Sequence, residues 1–214
     1  MANNRVNRVA VILLSLFLAI PAFAENVGAF QKFSMGVMLG FGPSVLTNGD
    51  RGVYSDNVSI GFALSFRMAF PLTERTSLLA DIGADGCFGF VDKSSYAYRK
   101  VVDSVSTSAF DITVMWNAFL TENFFMSVGP SLRFPKIKEY VQLDGKEVYS
   151  GEPEYANDLW LDAVLGLGYK NGAFEIGLRI GYEFLGMYKE TDNYFETDIN
   201  ELRFRVYFTY WFGQ

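Results

Sequence analysis

Apolar and polar residues alternate with a period of two over most of the chain. In "VSIGFALSFRMAF", residues 58–70, Val58, Ile60, Phe62, Leu64, Phe66, Met68 and Phe70 share one face. Ser59, Gly61, Ala63, Ser65, Arg67 and Ala69 share the other. Successive side chains of a strand point to opposite faces, so this spacing predicts a two-faced strand and not a helix. Seven more segments read the same way, near 33–46, 77–90, 108–120, 124–134, 159–169, 174–184 and 202–212. The last sets Leu202, Phe204, Val206, Phe208, Tyr210 and Phe212 against Arg203, Arg205, Tyr207, Thr209 and Trp211. Eight strands are expected.

The connections alternate in length. "PLTER" (71–75), "TEN" (121–123) and "NG" (171–172) are short, and Asn171-Gly172 suits a two-residue type I′ hairpin. Long polar segments lie between them, near 47–57, 91–107, 135–158 and 188–201. "LTE" occurs twice, at Leu72–Glu74 and Leu120–Glu122. Such regular punctuation implies a run of hairpins in one domain, residues 25–214.

Alternation alone does not say which face is outside. A soluble barrel that carries an apolar ligand also alternates, with its greasy face inward. An eight-stranded barrel has room only for its own side chains, however, and the large apolar set here would overfill it. The face of Gly, Ser, Ala and a few charges fits that interior. A water-facing exterior would also be dense in Lys, Glu and Thr. The apolar face is therefore expected outside, in hydrocarbon, where closure pairs every backbone group. Phe70, Trp116, Phe124, Tyr169, Phe174, Tyr210 and Phe212 then gather near the short turns as an interfacial girdle.

The N-terminus agrees with export. Arg5 and Arg8 precede the apolar run "VAVILLSLFLAI" (9–20), and Ala22 and Ala24 offer an A-x-A site, so residues 1–24 read as a signal peptide cut between Ala24 and Glu25. The run has 12 residues, short of the roughly 20 that span a bilayer as a helix. Without Arg5 and Arg8 the chain holds 16 basic against 24 acidic groups, a net charge of −8. That balance argues against a nucleic-acid partner. Cys87 is the only cysteine, so no intramolecular disulfide forms.

Together the alternating strands, short turns, long loops and aromatic C-terminal strand resemble the small eight-stranded outer-membrane β-barrel family, of the OmpA transmembrane-domain and OmpX type. The resemblance covers nearly all of 30–214 through architecture. It implies an antiparallel up-and-down transmembrane barrel in the outer membrane of a Gram-negative-type bacterium, with short turns in the periplasm and long loops outside. Outer-membrane lipid and the outer-membrane assembly machinery are the implied partners. Phe208, Tyr210 and Phe212, with Val206, match the family's C-terminal assembly signal. Gly213 and Gln214 after the last Phe, and Tyr207 where many such signals carry Gly, depart from it.

The interior face would hold Arg67, Arg133, Arg179, Arg203 and Arg205 against Asp81, Asp85, Asp111, Asp162, Glu175 and Glu183. Ions in a poorly hydrated interior must be paired, so the expected structure is an ion-pair network that plugs the barrel. The alternative is a narrow, charge-lined path for small solutes or ions; a further alternative is a secreted soluble barrel with an apolar ligand. Asp81 and Asp85 sit four residues apart on one face, about 13 Å at strand rise, too far to share acid–base chemistry. The chain has no His, the usual base for an activated Ser. No catalytic residue, cofactor or metal site is assigned. Net charge concentrates in segments 135–158 (three Lys against six acids) and 188–201 (one against five), which become the candidate surfaces for an external partner. Asp192, Glu196 and Asp198 mark the second, and Tyr140, Tyr149, Tyr155, Tyr188 and Tyr194 are candidate contacts.

Overall fold

The structure, a computed structural model, describes residues 30, 32–48, 58–96, 99–152, 156–186 and 199–212. The expected signal segment 1–24 with its Ala24–Glu25 cleavage site, residues 49–57 of the first loop, Tyr155, residues 188–198 of the last loop with Tyr188, Asp192, Tyr194, Glu196 and Asp198, and the final two residues lie outside it. Nine strands follow one another: β1 Ser34–Asn48, β2 Val58–Pro71, β3 Thr76–Tyr96, β4 Arg99–Phe119, β5 Phe124–Leu143, β6 Lys146–Gly151, β7 Trp160–Asn171, β8 Phe174–Glu183 and β9 Ile199–Phe212.

All pairings are antiparallel. Eight strands close in the order β1-β2-β3-β4-β5-β7-β8-β9, and β9 returns to β1 from Met35↔Phe212 to Asn48↔Ile199. The closing strand therefore leaves the barrel wall without an open edge. β6 is the ninth strand and stands apart, pairing with β5 alone.

The short turns repeat one device. Thr73 Oγ1 accepts the N–H of Thr76 at 3.1 Å, and Thr121 Oγ1 accepts the N–H of Phe124 at 3.1 Å. The two "LTE" sequences are thus the same turn, closed by Leu72 N to Thr76 O (2.9 Å) and Leu120 N to Phe124 O (2.8 Å). At the third turn Asn171 pairs with Phe174, so the two-residue loop is Gly172–Ala173 and only Gly172 has positive φ (56°). The expected Asn171-Gly172 type I′ turn is displaced by one residue.

Two of the expected loops are largely strand. β2 stops pairing with β3 at Phe88, and β7 stops pairing with β5 at Arg133. Beyond those points β3, β4 and β5 continue together and β6 joins them, forming a sheet that projects past the barrel rim. Segment 91–107 is the β3–β4 hairpin, and 135–158 contains the end of β5, a turn and β6. Asp144 (φ 50°) and Gly145 (φ 77°) make that turn, two consecutive left-handed residues as a type I′ hairpin requires. Segment 188–201 is shorter than expected, because residues 199–201 already belong to β9.

Burial alternates along the strands with the parity of the sequence pattern. Phe62 (57% exposed), Leu64 (55%) and Phe66 (40%) point out, whereas Ser65 and Arg67 between and beside them are buried. Around the barrel the outward face is a continuous belt of Phe, Leu, Ile, Val and Tyr. At the turn side its rings touch one another: Phe33 with Phe70, Phe124 with Tyr169, and Phe174 with Tyr210, at centroid separations of 5.0, 5.1 and 5.4 Å.

Candidate functional site

The interior is built in layers. At the turn end Phe30, Ala69, Leu79, Met115, Phe119, Phe125 and Trp211 form an apolar plug, from which Met38, Val164 and Tyr207 reach up among the charges. Phe30, which precedes β1, packs edge-on against Trp211 at 4.5 Å and closes that end. At the loop end Leu46, Cys87, Val105, Ile137 and Trp160 make a second apolar layer. Between the two lie the charges.

They divide into two clusters. In the lower one Arg67 donates from Nε to Asp81 Oδ1 (2.8 Å) and from Nη2 to Asp81 Oδ2 (3.2 Å), and it also pairs with Glu175. Arg179 pairs with the same Asp81, and Trp211 Nε1 donates to the second oxygen of Glu175 at 2.9 Å. The Arg67 and Arg179 guanidiniums stack over the Tyr207 ring at 4.9 and 5.6 Å. Two cations meet two anions, and the charges cancel.

In the upper cluster Arg205 grips Asp85 with both arms of its fork, at 3.1 and 2.8 Å. Its remaining nitrogen donates to the carbonyls of Gly42 (3.0 Å) and Pro43 (3.1 Å), where β1 breaks its ladder to β9. Gly61 leaves room for this arginine, since a Cβ there would run into the guanidinium. Arg203 joins Asp85 (3.3 Å) to Asp162. Arg133 reaches Glu201 at 3.0 Å and lies against Asp85 and Asp162 at 3.8 and 3.9 Å, its face on Trp160. Three cations meet three anions, neutral again. Removing water from such charges costs several kcal/mol per ion, and mutual pairing within each cluster offsets it.

Two carboxylates stand outside both clusters. Asp111 is 7% exposed and forms no ion pair among the described residues, although its cross-strand neighbour is Arg133. It lines a cavity of about 20 Å³ between the clusters, together with Ser65, Arg179, Arg203 and Tyr207. That volume is close to what one water needs. Glu183 sits near the loop-end rim and is held by uncharged donors, the Leu185 N–H and Asn200 Nδ2 (3.2 Å). Asn200 O in turn accepts from Thr47 Oγ1 at 3.2 Å, and Asn157 Nδ2 donates to Gly186 O at 2.7 Å.

All eleven charged residues expected inside thus face inward: ten are buried and Arg179 is half-buried. The sequence pattern places Glu201 in the last loop, whereas β9 carries it into the interior. Its signal was present, since it shares the parity of Arg203 and Arg205. With it seven carboxylates are buried on the inward faces of the described strands, and Asp111 and Glu183 are the two that belong to neither cluster. The expected small-residue lining was also incomplete, because Met38, Leu79, Met115 and Trp160 are inside. Of the assembly-signal residues, Phe208, Tyr210 and Phe212 all point outward at 44–46% exposure.

Among solved structures, the chain superposes on Ail, the attachment invasion locus protein of Yersinia pestis, with a TM-score of 0.53 over 85% of this chain and 100% of that one, at 11% identity. Ail in complex with the heparin analogue sucrose octasulfate gives 0.51 over the same shares, at 14% identity. Neisserial surface protein A gives 0.49 over 83% of this chain and 96% of its own, at 9% identity. No protein-family model matches the chain, and no curated protein does. The likeness to Ail is one of fold: a closed, eight-stranded, all-antiparallel barrel of the small outer-membrane type.

Proposed function

We propose that the chain is exported by cleavage after Ala24, inserted in the outer membrane of a Gram-negative-type bacterium, and retained there as a non-catalytic barrel that presents a surface for contact outside the cell. The observation that carries this reading is the inversion of burial, a continuous belt of exposed apolar side chains around a charged core. A bilayer is the solvent that such an exterior fits, and a closed barrel exposes no unpaired backbone to it. The alternating outward residues Val206, Phe208, Tyr210 and Phe212 serve as the assembly signal.

The filled interior supports a structural barrel over a channel. Apolar layers seal both ends of the ion clusters, and the cavity between them is about 20 Å³. Contact with a partner falls to the projecting sheet. β6 pairs on one side only, and Val148 (58%) and Tyr149 (43%) are exposed on it. Segment 135–158 carries a net −3, and with Glu201 assigned to the interior the remainder of the last loop, 188–200, also carries −3. A polysulfate of the kind bound to Ail does not suit such ends; a basic protein surface does.

Fractionation and planar-bilayer recording test the proposal together. The full chain should sediment with outer membranes, resist extraction without detergent, and show no discrete conductance. A mature chain soluble without detergent would overturn it. So would a discrete conductance that changes in Arg179→Ala.

A further inference from the structure

On the outward face of β4 and β5 the register stacks four cross-strand pairs: Ile112↔Leu132, Phe110↔Phe134, Ser108↔Lys136 and Ser106↔Lys138. From the belt toward the projecting sheet, the surface passes from aliphatic to aromatic to hydroxyl beside ammonium. Phe110 and Phe134 are 48% and 46% exposed and their rings lie 6.3 Å apart; both lysines are exposed and neither is in an ion pair among the described residues. The two lysines are about 7 Å apart along one strand face.

Their height matches a headgroup. Phe124 is in the turn-side girdle, and Phe134 lies ten residues further along β5. Ten residues make about 33 Å of strand and, at a tilt of about 40°, about 25 Å of height, the thickness of the apolar band of such barrels. Lys136 is the next outward residue. At the loop ends of other strands the described outward side chains Thr47, Val58, Leu159, Tyr182 and Asn200 are uncharged. Charge also changes along the β5–β6 hairpin, with the two lysines at its base and Lys146 beside Glu139, Asp144 and Glu147 above them. In this acidic chain two exposed cations thus stand together where the apolar belt ends.

We infer that the Phe110–Phe134 shelf with Lys136, Lys138 and Ser108 is a binding site for the phosphorylated headgroup of an outer-leaflet glycolipid. The rings carry the acyl-proximal sugar, while the ammonium groups and the Ser108 hydroxyl donate to its phosphate. This inference rests on the membrane reading proposed above.

Binding of lipid A, with and without its phosphates, to the refolded full barrel in phosphatidylcholine nanodiscs tests it. The Lys136→Gln/Lys138→Gln variant should bind phosphorylated lipid A about 30-fold more weakly. Dephosphorylated lipid A should bind the unmodified protein at that weaker level, and Lys146→Gln should change nothing. Equal binding by the double variant would overturn the site, as would inorganic phosphate competing as well as the lipid, which would mean a free-phosphate site. The two readings separate on heat-modifiable migration in gels. A folded barrel without the lysine effect removes the lipid site alone, whereas failure to fold into bilayers removes the membrane reading and the site with it.

Discussion

The two faces of β2 hold the same backbone to opposite rules. Phe62, Leu64 and Phe66 point outward, more than a third exposed, whereas Arg67 on the next position is 1% exposed and bonded to Asp81, Glu175 and Thr209. In a water-soluble domain the apolar set would be inside and the arginine on the surface. The inversion shows that solvent and not residue type decides where a side chain belongs. An arginine is at home in this barrel where carboxylates complete its shell, and Phe62 and Phe66 lie on the exposed face.

Substitutions that swap or cut these rules should separate the faces. Arg133→Ala leaves Glu201 without its cation and weakens the hold on Asp85 and Asp162. A buried pair broken on one side costs about 3–5 kcal/mol, to be read from denaturant unfolding in lipid vesicles. Phe62→Arg puts on the outside the residue type that Arg67 supplies inside. If position 62 faces mid-bilayer, the cost is about 2–4 kcal/mol; unchanged folding free energy would contradict the facing. Trp211→Phe keeps most of the apolar plug but takes the donor from Glu175 Oε2. An orphaned buried acceptor costs about 1–3 kcal/mol. The smallest effect is expected at Asp111, which lies outside both neutral clusters. Asp111→Asn should not lower stability, because it removes a buried charge that has no ion-pair partner among the described residues. A loss as large as that of Arg133→Ala would show that Asp111 belongs to the upper cluster.

The barrel wall was legible because each of its strands has one exposed apolar face and the other in a packed interior, so period two survives along its whole length. Legibility ended where that contrast ended. Above Phe88 and Arg133 the alternation breaks in the sequence, with Val101 and Val102 adjacent and Ser, Asp and Lys on both parities, and "VDKSSYAYRKVVDSVST" reads as loop although β3 and β4 run through most of it. Asp144-Gly145 was the overlooked local signal, a two-residue type I′ turn with both residues left-handed. Inside the barrel, parity placed the charges but not their grouping. That Asp81 serves Arg67 and Arg179 while Asp85 serves Arg203 and Arg205 depends on register between strands far apart in sequence. Glu201 was lost to the loop because a single outlying charge at a strand start is indistinguishable from loop polarity.

The inversion itself is open to direct measurement by spin labels at single cysteines. In a Cys87→Ser background, labels replace Ile60, Phe62, Leu64, Phe66 and Lys146 of the full chain folded in vesicles. Collision with oxygen should exceed collision with a water-soluble nickel chelate at positions 62, 64 and 66, and the order should reverse at position 146. Nickel exceeding oxygen at Phe62 and Leu64 would place that face in water and contradict the lipid-facing belt.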